Sequence, residues 1–213
     1  MHLAHLAWDL AAASDGRFAL GLGTQVRAHV ERRYGSTWSA PVARMAEWVA
    51  AIRAISARWQ DGTPLDFTGE HTRHTLMTPA FDPGSLPGGP PPIWLGALGP
   101  KMTTLATREA DGLLVHPFTS DRHLAEQTLP AIATGLDAAE RQRDDLTIVG
   151  QAILACTSDR SKQADPDVAA RWMLGFYGST PAYARSSRPR AEPTSIRSCG
   201  RCRGRAAGTR WRH

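Results

Sequence analysis

Between residues 91 and 157 short apolar runs alternate strictly with helical ones, and no other feature restricts the possible folds as much. "PPIWLGAL" reads as a strand, "GPKMTTLATREA" as a helix, "DGLLVHPF" as a strand, "DRHLAEQTLPAIATGLDAAERQ" as a helix that Pro130 is expected to break, and "LTIVGQAILACT" as a strand. Alternation of this kind implies parallel strands joined by helical crossovers. The strands are almost wholly apolar, as they are when helices or a barrel wall bury both faces, so an α/β fold follows, either an open doubly wound sheet or a (β/α)8 barrel.

Upstream, "LAHLAWDLAAAS" carries Leu3, Leu6, Ala7 and Leu10 at helical spacing, and Asp15-Gly16 supplies the stop. Arg17–Leu22 reads as a strand followed by a polar loop. The longest helix comes next. Ser39 is placed to cap it, Pro41 suits its first turn, and Met45, Trp48, Val49, Ile52, Ile55 and Trp59 make one apolar stripe. Residues 60–92, rich in Gly, Pro, Asp and Thr, read as an insertion with room for a short hairpin. About four strands result, where a closed barrel of this class needs eight.

The net charge of +5 invites a nucleic-acid reading until its position is noted. Residues 185–213 hold nine arginines and a single acid, Glu192, for +8, which leaves −3 on residues 1–184. The basic segment contains no Leu, Val or Phe and is expected to stay disordered. Its arginines can bind phosphates without specificity, but no aromatic platform accompanies them, so no specific nucleic-acid partner is expected. Cys199-x-x-Cys202 supplies half a zinc site, Cys156 and His213 stand at no recognised spacing from it, and no metal is expected. Three cysteines make no disulfide framework, and neither a membrane span nor a secretory leader is legible, which together predict a cytoplasmic protein.

"FALGLGTQ" (18–25) looks like the start of a dinucleotide fingerprint, yet the third glycine position is Val26, and "MAEWVAA" holds no ribose-binding acid where one belongs. A Rossmann-type dehydrogenase is therefore disfavoured. "GALGPKM" carries more chemistry. A strand ends at Gly96, Gly99 lets backbone approach a ligand, Pro100 starts a helix whose free N–H groups favour an anion, and Lys101 adds charge. A ligand-free strand-to-helix turn has the same pattern.

Taken together, "WDLAAASDGRFALGLGTQVRAHVERRYG", "LMTPAFDPG", "PPIWLGALGPKMTTLATREADGLLVHPF" and "FYGSTPAY" resemble the bacterial luciferase-like oxidoreductases, particularly the branch that uses the deazaflavin coenzyme F420. The resemblance covers about residues 1–184 and chooses the barrel, making 1–184 a partial TIM barrel domain and 185–213 a separate tail. It implies coenzyme F420, with FMN as the alternative, lying across the carboxyl ends of the strands and exchanging hydride with a small organic substrate, or supporting monooxygenation. "FALGLGTQ" becomes the fourth barrel strand, so three strands are expected to be missing ahead of it, and the tail is expected to be a frameshift product. A chain of this kind is either an enzyme or a non-catalytic remnant whose open strand edges favour self-association.

The resemblance also implies site residues. Gly96, Ala97, Leu98, Gly99, Pro100, Lys101 and Met102 would hold the cofactor phosphate. Gly23 would give close approach, with Thr24 and Gln25 hydrogen-bonding the ring or its ribityl chain. His29, reaching inward from its loop, and His116, at the end of a strand where barrel enzymes place functional groups, are the candidate catalytic side chains. Each histidine has a plain reading beside this one: His29 solvated, and His116 packed and held by a backbone carbonyl.

Overall fold

The computed structural model describes residues 1–153 and 166–180 together with Tyr183 and Ser186. The three cysteines, the rest of the basic tail and residues 154–157 of the last apolar run lie outside the described residues.

Helix α1 (His2–Ala13) opens the chain and ends where expected, with Asp15 and Gly16 both at positive φ (50° and 74°). Strand β1 (Leu20–Leu22) is shorter than the run that predicts it. The loop after it contains a short helix, α2 (Arg27–Arg32), which the sequence reading took as polar loop because it buries no residue. Helix α3 (Pro41–Asp61) has Pro41 in its first turn, but its N-cap is Ala40, at φ 36°, rather than Ser39. The Ser39 hydroxyl accepts from Arg44 instead (3.2 Å). Met45, Val49, Ile52, Ile55 and Trp59 are buried as the stripe predicts, while Trp48 is displaced outward, 37% exposed.

The insertion forms the expected small hairpin, β2 (Phe67–Thr68) and β3 (Arg73–His74). Its turn is clamped by Glu47 of α3, whose carboxylate accepts the backbone N–H groups of Glu70, His71 and Thr72 and the Thr72 hydroxyl. Burial alone would raise the Glu47 pKa, but these donors outweigh it and hold the carboxyl below its ordinary value.

The alternating run then delivers β4 (Ile93–Ala97), α4 (Pro100–Glu109) and β5 (Gly112–Val115). Pro130 does not break the next helix. A short α5 (Asp121–His123), capped by the Ser120 hydroxyl, passes through a π-helical turn (Leu124–Thr128) into α6 (Leu129–Ala138), so the widened turn precedes the proline and the chain stays helical. Strand β6 (Thr147–Val149) and helix α7 (Pro166–Gly178) follow.

The four strands β1-β4-β5-β6 form one parallel sheet in chain order. Among the described residues the order does not reverse, so these four strands contain no switch point of the kind that a doubly wound nucleotide-binding sheet requires. The longer helices also lie side by side, α1 on α3, α3 on α4 and α4 on α6. Leu20, Ile93, Leu95, Ala97, Leu113 and Val115 point toward them and form the core with Trp8, Val49, Ile55, Leu105 and Ile132. The other face carries the row Gly21, Trp94, Gly112, Thr147 and the row Gly96, Leu114, Val149. Trp94 lies across Gly112, where a Cβ would come within 2.5 to 2.8 Å of the indole. Sequential strands with helices on one face are the arc of a (β/α)8 barrel.

The amino ends of the strands are tied through Asp111. Its N–H donates to the Ile93 carbonyl (2.8 Å), its carboxylate accepts from the Ile93 N–H (2.8 Å) and from Arg53 (3.0 Å), and its carbonyl accepts from Thr147 (3.0 Å). Beside it the Arg141 guanidinium donates to the carbonyls of Thr107 (2.8 Å) and Ala110 (2.7 Å), which finish α4.

Candidate cofactor cleft

At the opposite, carboxyl ends of the strands lies a cleft of about 980 Å³. Its wall begins with the two sequence-predicted loops, which the fold brings together because β1 and β4 are paired neighbours. Gly23, Thr24 and Gln25 line one side, and Gly96, Ala97, Leu98, Gly99, Pro100, Lys101 and Met102 line the other.

The first loop is held in an unusual backbone shape. Gln25 sits at φ 61°, a region that residues with a Cβ seldom occupy, and folds its side chain back so that Oε1 accepts the Val26 N–H (3.0 Å). The Thr24 hydroxyl donates to the Gln25 carbonyl (3.2 Å). In the second loop Gly99 is the N-cap of α4 and Pro100 its first residue. No side chain caps that end, so N–H groups of the first turn remain free beside Lys101, an arrangement suited to an anion. Among the described residues, chain neighbours aside, nothing stands within 4 Å of where a Cβ would sit on Gly23 or Gly99, which leaves room at both glycines for a bound group. His123 braces this loop from α5, its Nε2 lying 3.0 Å from the Leu98 carbonyl oxygen.

His116 and His29 part company. His116 lines the cleft, wedged between Tyr177 (ring centres 5.0 Å apart) and Tyr183 (4.6 Å). Its Nδ1 accepts the Phe118 N–H (3.1 Å), so the ring is held by a backbone donor rather than the carbonyl anticipated. That bond leaves Nε2 to carry the proton in the neutral ring, and burial lowers the pKa in the same direction. His29 is carried by α2, is not among the residues lining the cleft, and has its Nδ1 buried with no hydrogen-bond partner among the described residues.

Sequence reasoning missed Trp38, Gln151, Tyr177 and Tyr183, all of which line the cleft. Tyr177 and Tyr183 lie within "FYGSTPAY", a stretch whose spacing signals nothing on its own. Tyr177 meets His116 and Phe118 from α7 itself, and the return of the chain, where the Ser186 carbonyl accepts from the Ser120 N–H (2.8 Å), brings Tyr183 against the same two rings. Burial, and then the neighbouring Tyr177, raise the pKa of Tyr183, so its hydroxyl keeps its proton and remains a donor.

The sequence is 43% identical over 183 residues to an uncharacterized protein of Mycobacterium tuberculosis, covering 86% of this chain and 54% of that one. It is 35% identical to the 5,10-methylenetetrahydromethanopterin reductase of Archaeoglobus fulgidus, covering 79% of this chain and 47% of the relative. With the F420-dependent glucose-6-phosphate dehydrogenase of Nakamurella multipartita it shares 30% identity, over 72% of this chain and 43% of the other. The chain thus spans about half the length of the curated relatives it matches. In fold it is similar to the coenzyme F420 dependent tetrahydromethanopterin reductase from Methanopyrus kandleri, with a TM-score of 0.54 and 22% identity, covering 70% of this chain and 45% of that structure. The family model described as luciferase-like monooxygenase matches residues 1–208, past the point where the sequence resemblance was expected to end. With the sequential parallel sheet and the carboxyl-end cleft, that match places the chain in the luciferase-like monooxygenase family.

Proposed function

We propose that the cleft binds the deazaflavin coenzyme F420 and that the protein serves hydride transfer between it and a small organic substrate. The observation that carries this reading is the meeting of both glycine loops at the uncapped start of α4, inside a cleft large enough for a flat cofactor. The kinship with an F420-dependent dehydrogenase at 30% identity supports the choice of cofactor.

The residues present suit such a group. Lys101 and the free N–H groups of α4 would hold its phosphate, while the open Gly23 and Gly99 admit its backbone-close passage. Gln25 and Thr24 would meet the ring or its polyol chain from the β1 side. When bound, the coenzyme supplies a hydride donor or acceptor. His116, neutral and oriented by Phe118, lines the cleft between the Tyr177 and Tyr183 rings and would offer its Nε2–H as a hydrogen-bond donor. Three cysteines and a small-molecule cofactor fit a cytoplasmic setting.

Titrating the purified chain with coenzyme F420 and separately with FMN, and following cofactor fluorescence, tests the proposal. The expected result is saturable quenching by the chain, tighter for F420 than for FMN, and weakened about tenfold by Lys101→Ala, the loss of one charge-assisted contact. Absence of binding to either at tens of micromolar would refute it and leave the non-catalytic reading.

A further inference from the structure

Between the end of β4 and the start of α4 the backbone turns at Gly99, whose two flanking peptides are held by different elements. The Gly99 carbonyl accepts both the N–H and the hydroxyl of Thr103 (3.0 and 3.1 Å), and the Thr103 side chain is fully buried, so α4 itself fixes this side. The side toward β4 is held from α5. There the Leu98 carbonyl oxygen lies 3.0 Å from Nε2 of His123. A carbonyl only accepts, so Nε2 carries the proton and donates. His123 is set in place in turn: its backbone N–H donates to the Ser120 hydroxyl (3.2 Å), and the π turn begins at the next residue. Leu98 and Gly99 line the cleft, whereas His123 stands behind them and outside its lining.

In a trans peptide the carbonyl and the N–H point in opposite directions, so a Leu98 carbonyl turned to His123 turns the Gly99 N–H away from it. Rotating that peptide by half a turn would exchange the two groups. It would also carry Gly99 from φ −83° to about +100°, a region open to glycine and closed to most other residues. Glycine at this position thus admits both orientations, and the bond from His123 selects one. We propose that His123 is a positioning residue for the cofactor phosphate. It keeps the Leu98 carbonyl oxygen turned from the anion and leaves the Gly99 N–H to join Lys101 and the first-turn N–H groups of α4. An N–H facing a phosphate attracts it, whereas a carbonyl oxygen in the same place sets negative partial charge against negative charge. This role rests on the reading of the cleft as a coenzyme F420 site, and it gives His123 no contact with the coenzyme itself.

Fluorescence titration of the full chain with coenzyme F420, and with the deazaflavin riboside that lacks the phosphate, tests it. His123→Phe, or His123→Met where the ring is not tolerated, removes the donor. It should weaken F420 binding roughly tenfold, the effect of one hydrogen bond to a charged group, and leave the affinity for the riboside unchanged. His123→Gln places an amide N–H at similar reach and should restore most of the loss. A second measurement needs no cofactor: in proton–nitrogen NMR spectra the Gly99 amide signal should move in His123→Phe and His123→Met alike and return toward its place in His123→Gln. Equal loss of F420 and riboside binding would mark a merely structural role and overturn the proposal. So would F420 binding that His123→Phe leaves intact, or a Gly99 amide signal that ignores the substitutions or shifts equally in all three. Absence of F420 binding by the unaltered chain would instead overturn the reading of the cleft, and the role of His123 with it.

Discussion

Replacing Gly135 by alanine sets two effects of opposite sign against each other. Gly135 lies in the middle of α6, where helix propensity alone favours alanine by roughly 0.5–1 kcal/mol. In the folded protein, however, a Cβ there would fall within the Thr107 hydroxyl, 2.8 Å from the Thr104 carbonyl oxygen and 3.0 Å from the Thr107 Cβ. Rotating Thr107 offers no escape. Its side chain is fully buried, its hydroxyl already donates toward the Thr103 and Thr104 carbonyls of its own helix (3.2 and 3.0 Å), and the Thr104 oxygen is backbone. Helices α4 and α6 must therefore move apart, and overpacking of this kind costs about 1–3 kcal/mol, occasionally more. The net expectation is a loss of about 1–2 kcal/mol. Urea unfolding would show it as a midpoint lowered by roughly 0.5–1 M at an m-value near 2 kcal/mol/M. Gly175→Ala in α7, where among the described residues nothing beyond its own helix lies within 4 Å of the added methyl, serves as the control and should be neutral or mildly stabilising. An unchanged or raised midpoint for Gly135→Ala would refute the close α4–α6 packing and with it the argument for the helical layer.

Gly112→Ala should displace the Trp94 indole and cost about 1–3 kcal/mol, seen both in the unfolding midpoint and as a shifted tryptophan emission; unchanged emission would mean the ring does not lie across Gly112. The Glu47 carboxyl is held below its ordinary pKa near 4.5, so its contribution is present above that value and is lost as pH falls through the lower folded one. Glu47→Gln should accordingly hasten proteolytic cleavage within residues 69–72 at neutral pH, and cleavage at the unaltered rate would count against the clamp. His116 is shifted the same way but with the opposite charge logic: burial lowers its pKa below about 6.5, the unfolded chain takes up the proton first, and stability declines as pH falls below that value. His116→Phe should flatten this decline between pH 6.5 and 5, and a slope that persists undiminished would place its origin elsewhere.

Alternation of apolar runs made β4, α4, β5 and the helix after it legible, because strands buried on both faces write themselves as unbroken apolar stretches. The boundaries were less legible. Strands β1 and β6 are three residues each, each beginning level with the first residues of its neighbour and leaving the ladder before that neighbour ends, and that is a property of the sheet rather than of Arg17–Leu22 or of "LTIVGQAILACT". Pro130 carries a strong local signal for a break, yet the π turn ahead of it absorbed the lost hydrogen bond, an accommodation set by packing on α4. The choice of a barrel over a doubly wound sheet came from the family resemblance, and the unreversed strand order supports it. At the site, both glycine loops were visible because turn chemistry is local. Tyr177, Tyr183 and the bracing His123 were not, since their positions depend on tertiary contacts that no spacing encodes.

The knot around Asp111 and Arg141 divides the molecule's tolerance for change. Strand register, the end of α4 and the join to α3 are all fixed at the amino ends of the strands, by one carboxylate, the two guanidinium groups of Arg53 and Arg141, and four carbonyls. The carboxyl-end loops that line the cleft contribute little to that anchoring. Loop 23–26 and the return through Tyr183 are thus free to be exchanged, lengthened or re-aimed without unsettling the sheet below them, whereas a change at "ADG" would be felt by three strands at once. Diversification of what the cleft accepts can proceed by grafting loops onto a fixed base.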